Sequence, residues 1–206
     1  MTKLRGKQTT QRILNAAAGI FSDVGFEGAR VDEIARVAGV NKAMIYYHIG
    51  DKKALYARVI HHAFGNAVEQ FTRNIKSTQS PQNKLRAFIR TVVEVVDRHP
   101  ELAAIMLREQ ASGGKNLPET VAQDLARIVG IISGILAEGA QKGVFVKTIP
   151  FVVHMMIIGA VVFLKMSSPI RSKFPALSDT LSISGDKVSD MAAAEIENLV
   201  LNAVRK

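Results

Sequence analysis

An all-α fold is the expectation for this chain, and three features of the sequence carry it. Apolar residues recur at intervals of three and four along most of its length. Glycine, proline and capping residues cut that pattern into segments of helical length, and no stretch alternates apolar with polar residues as a half-buried strand would.

The first helix is predicted over Gln8 to Val24, where Ile13, Ala17, Ile20, Phe21 and Val24 share a face, and Gly25 supplies a left-handed stop. After the turn Gly25-Phe26-Glu27-Gly28, a short second helix brings Val31, Ile34, Ala35 and Ala38 to one side and ends at Gly39. Asn41 is a good N-cap for a third short helix, Lys42 to Ile49, with Ile45 and Ile49 inward. Gly50 breaks the run. Asp51 then caps a long fourth helix of about residues 52–75, striped by Leu55, Val59, Ala63 and Ala67.

Ser77 to Ser80 reads as a loop, and Ser80-Pro81 opens a fifth helix that stops at His99-Pro100, since serine caps and proline is pre-set for the first helical position. A sixth helix covers Glu101 to Ala111, followed by the break Ser112-Gly113-Gly114-Lys115-Asn116. The seventh starts at Pro118, runs to Gly143, and is expected to bury Val121, Leu125, Val129, Ile132, Leu136 and Ala140. The eighth, Pro150 to Met166, is apolar on all sides and so demands burial on all sides, more than one subunit of this size usually provides. Ser167 to Lys187 is expected to be a long loop with one helical turn. A last helix, Ser189 to Val204, is expected to bury Ala192, Ile196, Leu199, Val200 and Ala203.

Composition narrows the function. The chain of 206 residues has no cysteine, which removes thiolate catalysis, disulfides and cysteine-ligated zinc, and suits the cytoplasm. Its opening residues are basic and polar, so neither a signal peptide nor a lipidation site is expected there. The most apolar segment, Ile149 to Leu164, falls short of the roughly 20 residues a bilayer span needs. No nucleophile elbow, dinucleotide fingerprint or histidine-glutamate zinc helix is found, and the histidines form no ligand set, so neither an enzyme nor a cofactor or metal protein is indicated. His154 reads as a buried histidine with a satisfied hydrogen bond. The net charge of +9 favours a polyanionic partner. Residues 1–53 carry nine Lys or Arg against five Asp or Glu and are the more basic part per residue.

That basic segment also holds a helix, a tight glycine turn and a second short helix, the ingredients of a helix-turn-helix. Taken alone the pattern fits an ordinary helical hairpin equally well. The outward face of the second helix, however, offers Lys42, Ala43, Met44, Tyr46, Tyr47 and His48, groups that reach phosphates and base edges. Arg30, just before the first of the two helices, is a further candidate for a phosphate contact.

The stretch GFEGARVDEIARVAGVNKAMIYYHIGDKKAL resembles the DNA-binding region of the TetR family of bacterial regulators, with similarity from about Gln11 to Leu55. The resemblance implies that Tyr46-Tyr47-His48 contacts DNA, that Lys42 opens the recognition helix, and that Lys52 binds a phosphate. The sequence departs from the family at Ala29 and Arg30, where the usual threonine or serine cap is missing. It departs again at Ala43 and Ile49, which replace a common glycine and phenylalanine. The resemblance implies a helix-turn-helix domain over residues 1–53 and a helical dimerisation and effector-binding domain over 54–206, joined by the fourth helix as a lever. It also implies a homodimer that binds double-stranded DNA and pairs through helices near 150–166 and 189–204. A small apolar or amphipathic effector is expected to release the protein, as a repressor, from a palindromic operator. Phe88, Val92, Met106, Ile132 and Phe163 are the candidate pocket walls, chosen for position and apolarity. The alternative is a regulator without an effector that acts through protein partners.

Overall fold

The structure, a computed structural model, describes residues 2–76, 79–174, 176 and 190–206. Among them are ten helices: α1 (Thr2–Gly28), α2 (Val31–Ala38), α3 (Lys42–His48), α4 (Lys52–Lys76), α5 (Pro81–Arg98), α6 (Pro100–Ala111), α7 (Glu119–Gln141), α8 (Pro150–Met166), α9 (Ser168–Lys173) and α10 (Asp190–Val204). The expected helices are present and α1 starts earlier than predicted. Much of the loop expected over Ser167 to Lys187 lies outside the described residues, but its first six residues after Ser167 form α9. The fold is all-α, and the one β-type pairing among the described residues is an isolated bridge between Phe145 and Arg205.

The punctuation read from the sequence works locally. Gly25 interrupts α1 with φ 72° and ψ 179°, so the last turn of α1 sets off in a new direction. Ser80 Oγ accepts from the Asn83 N–H at 3.2 Å and Asp51 Oδ1 accepts from the Ala54 N–H at 2.8 Å, each satisfying an N-terminal amide that helix geometry leaves orphaned.

The chain divides into two compact units. The first comprises residues up to Gly65 together with Glu101–Asp124. Its core is built from Ile13, Ala17 and Phe21 of α1, Ile34 and Ala38 of α2, Ile45 of α3, Leu55, Tyr56 and Ile60 of α4, and Ile105 of α6. Burying each of the larger side chains contributes about 1.5–3 kcal/mol. Phe21 meets Tyr56 edge-on at 4.8 Å, with Phe26 5.0 Å from the same ring.

The second unit comprises Asn66–Pro100 and Leu125–Lys206. Phe71 stacks on Phe88 at 4.6 Å inside it, among Leu85, Ile89, Val92, Ile132, Ile157 and Val200. Three ion pairs stitch its helices: Arg90 to Glu197 at 2.6 Å, Lys84 to Glu138 at 2.6 Å, and Lys165 to Asp97 at 2.7 Å. At the end of α7 the chain turns through Gly143 so tightly that Phe145 lies under Gly139. A Cβ on Gly139 would fall 1.9 Å from the Phe145 ring, so no side chain fits there. The returning segment then ties to the end of α10 through Val146 N–H to Val204 O at 2.8 Å.

Two helices match the sequence expectation in part: Val121, Ile132 and Leu136 of α7 and Ile196 and Val200 of α10 are buried as expected, and the others are not. On α7 the buried positions are Val121, Asp124, Ile128, Ile132, Ile135 and Leu136, whereas Leu125, Val129 and Ala140 are half-buried. On α10 they are Ile196, Glu197, Val200, Leu201 and Val204, and both Leu199 and Ala203 face solvent. The physical reason is the same in each: an acidic residue is drawn inward to a basic partner. Asp124 receives His61 Nδ1 from α4, and Glu197 receives Arg90.

The apolar run on α8 also outlasts the sequence reading. By length and composition alone Pro150–Lys173, like Glu119–Gln141, is long enough to cross a membrane. Within one chain α8 buries Val153, His154, Ile157, Val161 and Val162, and leaves Phe151, Val152, Met155, Met156 and Phe163 exposed. The expected burial on every side is therefore not reached by one chain.

His154 departs from the satisfied histidine predicted for it: its Nδ1 is buried with no hydrogen-bond partner among the described residues, beside the Phe88 ring. Burial holds its pKa below the ordinary 6.5, because the protonated ring loses hydration without gaining a partner. The unfolded chain therefore takes up this proton first, and stability falls as pH drops through 6.5. Urea titrations at pH 7.5 and 5.5 test this: His154→Leu is expected to lose less stability on acidification than the parent chain, and an equal loss in both contradicts the assignment.

Candidate nucleic-acid interface

The two short helices α2 and α3 are joined by a turn whose backbone is fixed from both sides. Gly39 sits at φ 62° and ψ 42°, the left-handed region, and caps α2 with its N–H on Arg36 O at 3.2 Å while Val40 N–H reaches Ala35 O at 3.0 Å. From α1, the Arg12 guanidinium donates to Ala38 O at 2.6 Å and Gly39 O at 2.9 Å. These are carbonyls that the end of α2 leaves without intrahelical partners. A Cβ on Gly39 would meet that guanidinium at 2.8 Å. Gly39→Ala is expected to cost about 1–2 kcal/mol from the left-handed backbone alone, read as a lowered urea midpoint with unchanged slope. An unaltered midpoint contradicts the role given to this turn.

Asn41 then starts α3 by accepting the Ala43 N–H on its side chain at 2.9 Å, as its residue type predicts. Arg30, at the start of α2, makes no side-chain capping bond, in keeping with the missing threonine or serine, and is exposed. One residue of α3, Ile45, is fully buried. Ile49, expected inward, is half-buried at the C-terminal cap. Lys42, Ala43, Met44, Tyr46 and Tyr47 are exposed, Tyr47 most of all at 84%, and its ring meets His48 edge-on at 5.1 Å.

The two lysines are already engaged. Lys42 Nζ reaches the Asp32 carboxylate at 2.9 Å, and this hydrogen bond raises its pKa, keeping the ammonium charged. Lys52 Nζ donates to Glu27 O at 3.2 Å and lies 4.6 Å from the centre of the Phe26 ring.

Several supporting residues escaped the sequence reading. Arg58 donates to His48 O at 3.0 Å, holding the end of α3. Arg108 of α6 donates to Ser22 O at 3.1 Å and Asp23 O at 2.7 Å, just before the break in α1. The buried Glu109 accepts Tyr56 OH at 2.7 Å and the Asn116 N–H at 3.1 Å. Burial, with that bond second, pushes the Tyr56 phenol pKa well up. An acid in the middle of an otherwise apolar helical face was the available signal for Glu109. Nothing local marks Arg12, Arg58 or Arg108.

The candidate pocket residues divide between the two units. Phe88, Val92 and Ile132 are buried in the second unit, Met106 belongs to the first unit and is half-buried, and Phe163 is exposed on α8. Phe163, chosen as a pocket wall, is not among the residues that α8 buries, which are Val153, His154, Ile157, Val161 and Val162. A groove of about 210 Å³ lies elsewhere, between the start of α8 and the end of α10, lined by Thr148, Ile149, Val152, Met156, Val200 and Ala203 among others.

Two family models match: "Bacterial regulatory proteins, tetR family" over residues 13–59, and "Tetracyclin repressor-like, C-terminal domain" over residues 78–166. The transcriptional repressor NicS of Pseudomonas putida is 30% identical over 151 residues, covering 70% of this chain and 70% of NicS. The fold matches that of HlyIIR, a hemolysin II transcriptional regulator, with a TM-score of 0.70 at 24% identity, over 98% of this chain and 99% of that one. It also matches FadR from Bacillus subtilis, solved with stearoyl-CoA, with a TM-score of 0.71 at 20% identity, over 95% and 99% of the two chains. With a helix-turn-helix whose second helix turns its aromatic face outward, and with these matches over both parts of its length, the chain belongs to the TetR family of DNA-binding transcriptional regulators.

Proposed function

We propose that this regulator is a cytoplasmic homodimeric repressor, without enzymatic activity, that holds a palindromic operator through α3 and leaves it when a small apolar or amphipathic effector binds. The observation that carries the DNA reading is the one-sided seating of α3: Ile45 is buried to the last atom while Met44, Tyr46 and Tyr47 face outward. Apolar and aromatic groups held out in water at that density have a use when a groove covers them.

In this reading residues 1–53 form the reading head and 54–206 the dimerisation and effector-binding domain. Tyr46, Tyr47 and His48 contact base edges and backbone, with Ala43 and Met44 packing against the groove wall. Arg30, Lys42 and Lys52 fix the register on phosphates. Lys42 comes to the duplex charged, and because its pair with Asp32 lies at the surface, a phosphate oxygen replaces the carboxylate at little cost.

The exposed apolar residues of α8 and Leu199 of α10 support pairing of these helices with their symmetry mates in a four-helix bundle. Phe163 then serves the dimer contact. Phe88, Val92 and Ile132 supply apolar wall for an effector, and the stearoyl-CoA bound by FadR supports an amphipathic one. Two-fold symmetry sets the half-sites about 34–36 Å apart, or a multiple of that.

Selection of genomic fragments by the purified protein, followed by a screen for compounds that release them, tests the reading. Enrichment of an inverted repeat and release by an acyl or other amphipathic compound are expected. Fragments without symmetry contradict the dimeric reading head, and a bound complex that no compound class releases contradicts the effector.

A further inference from the structure

Polar side chains buried among the described residues are paired, His154 excepted. Thr91 donates to Ala87 O and accepts from Asn74, Glu109 takes Tyr56, Asp124 takes His61, Arg171 donates to Leu164 O, and Glu197 takes Arg90. Two buried side-chain atoms have no partner among the described residues, Thr148 Oγ1 and His154 Nδ1. Thr148 as a whole is half-buried, whereas His154 is only 4% exposed. Native interiors seldom leave such an atom unanswered, and one that persists marks a place where something else answers it.

The surroundings of His154 are apolar and aromatic. Val153 and Ile157 of its own helix are buried with it, the Phe88 ring of α5 meets its ring edge-on at 6.3 Å, and Phe88 is itself stacked on Phe71 of α4. All of these residues belong to the second unit. No cation is left over for this place on the helices packed against α8. On α5, Lys84 is paired with Glu138, Arg86 and Arg90 with Glu197, and Arg98 donates to Gln70. Lys165 of α8 is paired with Asp97, and α10 carries no basic residue. Burial keeps the imidazole itself neutral at pH 7. A neutral imidazole offers one donor and one acceptor, which suits an uncharged polar group. A carboxylate brought here would lose its hydration with no positive charge to answer it.

We infer that His154 is the polar anchor of a ligand site in the second unit, where Nδ1 holds the hydroxyl or carbonyl of an uncharged ligand whose apolar body lies against Phe88 and Phe71. The inference rests on the effector reading above and adds to it the anchoring residue and the chemistry that residue selects. A hydroxyl satisfies Nδ1 in either tautomer of the ring, whereas a carbonyl requires the proton on Nδ1. Phe88 and Ile157 are fully buried, so a ligand body reaches His154 by moving core side chains. Phe71 is carried by α4, so a shift of the Phe71–Phe88 stack acts on the helix that also supplies Leu55, Tyr56 and Ile60 to the core of the first unit.

The test uses the full-length protein with isotopically labelled histidine nitrogens. The probes are octyl, dodecyl and hexadecyl chains, each as the alcohol, the methyl ketone, the carboxylate and the alkane. The alcohol or the ketone is expected to bind about tenfold more tightly than the alkane of the same length, the worth of one satisfied buried hydrogen bond, and to shift the His154 Nδ1 resonance. His154→Leu erases that preference and leaves alkane binding in place. His154→Gln, which keeps an uncharged polar group, restores part of it. Where a urea curve shows His154→Leu to be unfolded, the resonance in the parent chain and the affinities of His154→Gln decide the matter. Tighter binding of the carboxylate overturns the inference, as does a preference that survives in His154→Leu, an Nδ1 resonance that no probe moves, or a parent chain that binds none of the probes. A probe that binds as expected yet leaves the operator complex intact is a different result: it upholds the ligand site and removes the effector reading.

Discussion

Tyr47→Ala is expected to lower operator affinity at least tenfold while leaving the urea midpoint where it was. The two halves of this expectation come from one fact: Tyr47 is 84% exposed, so its ring contributes almost nothing to the core of the free protein. A groove covers the same ring, and losing one base-edge or stacking contact costs about 1–3 kcal/mol of binding. Scrambled duplex should be bound nearly as before, since phosphate contacts dominate there. Titration of labelled operator and scrambled duplex, alongside a denaturation curve, reads all three quantities. A variant that binds the operator normally removes Tyr47 from the interface, and one that unfolds early shows the ring to be structural.

Glu109→Ala is expected to be the most damaging single change to the first unit. Its carboxylate is buried and answers two donors, the Tyr56 hydroxyl and the Asn116 N–H. Truncation leaves the Tyr56 hydroxyl buried without an acceptor, takes the acceptor from the half-buried Asn116 N–H, and opens a cavity beside Tyr56, which together cost about 3 kcal/mol or more. Tyr56→Phe removes one donor and keeps the packing, so a smaller loss is expected. The double variant Glu109→Ala with Tyr56→Phe should lose less than the two single losses added, because the pair is coupled. Additive losses would show that the two groups do not depend on each other. The consequence for function is direct, since Arg108, next in the chain, holds the carbonyls of Ser22 and Asp23 before the break in α1.

The same residues show how far the sequence could be read. Helix starts and stops were legible because their chemistry is local: Gly39 and Gly25 take up positive φ, Asn41, Asp51 and Ser80 cap with their own side chains, and His99-Pro100 ends α5. The outward face of α3 was legible too, because a seven-residue helix with one branched apolar residue toward its middle has few ways to sit. The inward faces of α7 and α10 were legible only in part. Reading them by apolarity places every charge outside, yet Asp124, Glu197 and Glu109 turn in to meet His61, Arg90 and Tyr56 from elements far away in the chain. α7 in particular has Gly130, Ser133, Gly134 and Gly139 among its apolar residues, so its stripe is broad and a partnered acid decides the rotation.

The effector side was the least legible for a related reason. Phe88, Val92 and Ile132 are apolar and buried as chosen, but position along a helix does not say which neighbours share a wall. Met106 proved to lie in the other unit and Phe163 on an exposed face. Apolarity alone does not distinguish the lining of a pocket from the surface kept for a second subunit.

The central claim is that α3, presented twice by a symmetric pair of chains, reads one duplex site. Its most direct test is the mass and stoichiometry of the purified protein on a single selected operator, measured by light scattering after size separation at moderate salt. Two chains, or a multiple of two, on one inverted repeat, with none retained on a half-site of the same length, is the expected result. A single chain bound to either duplex with equal strength would contradict it.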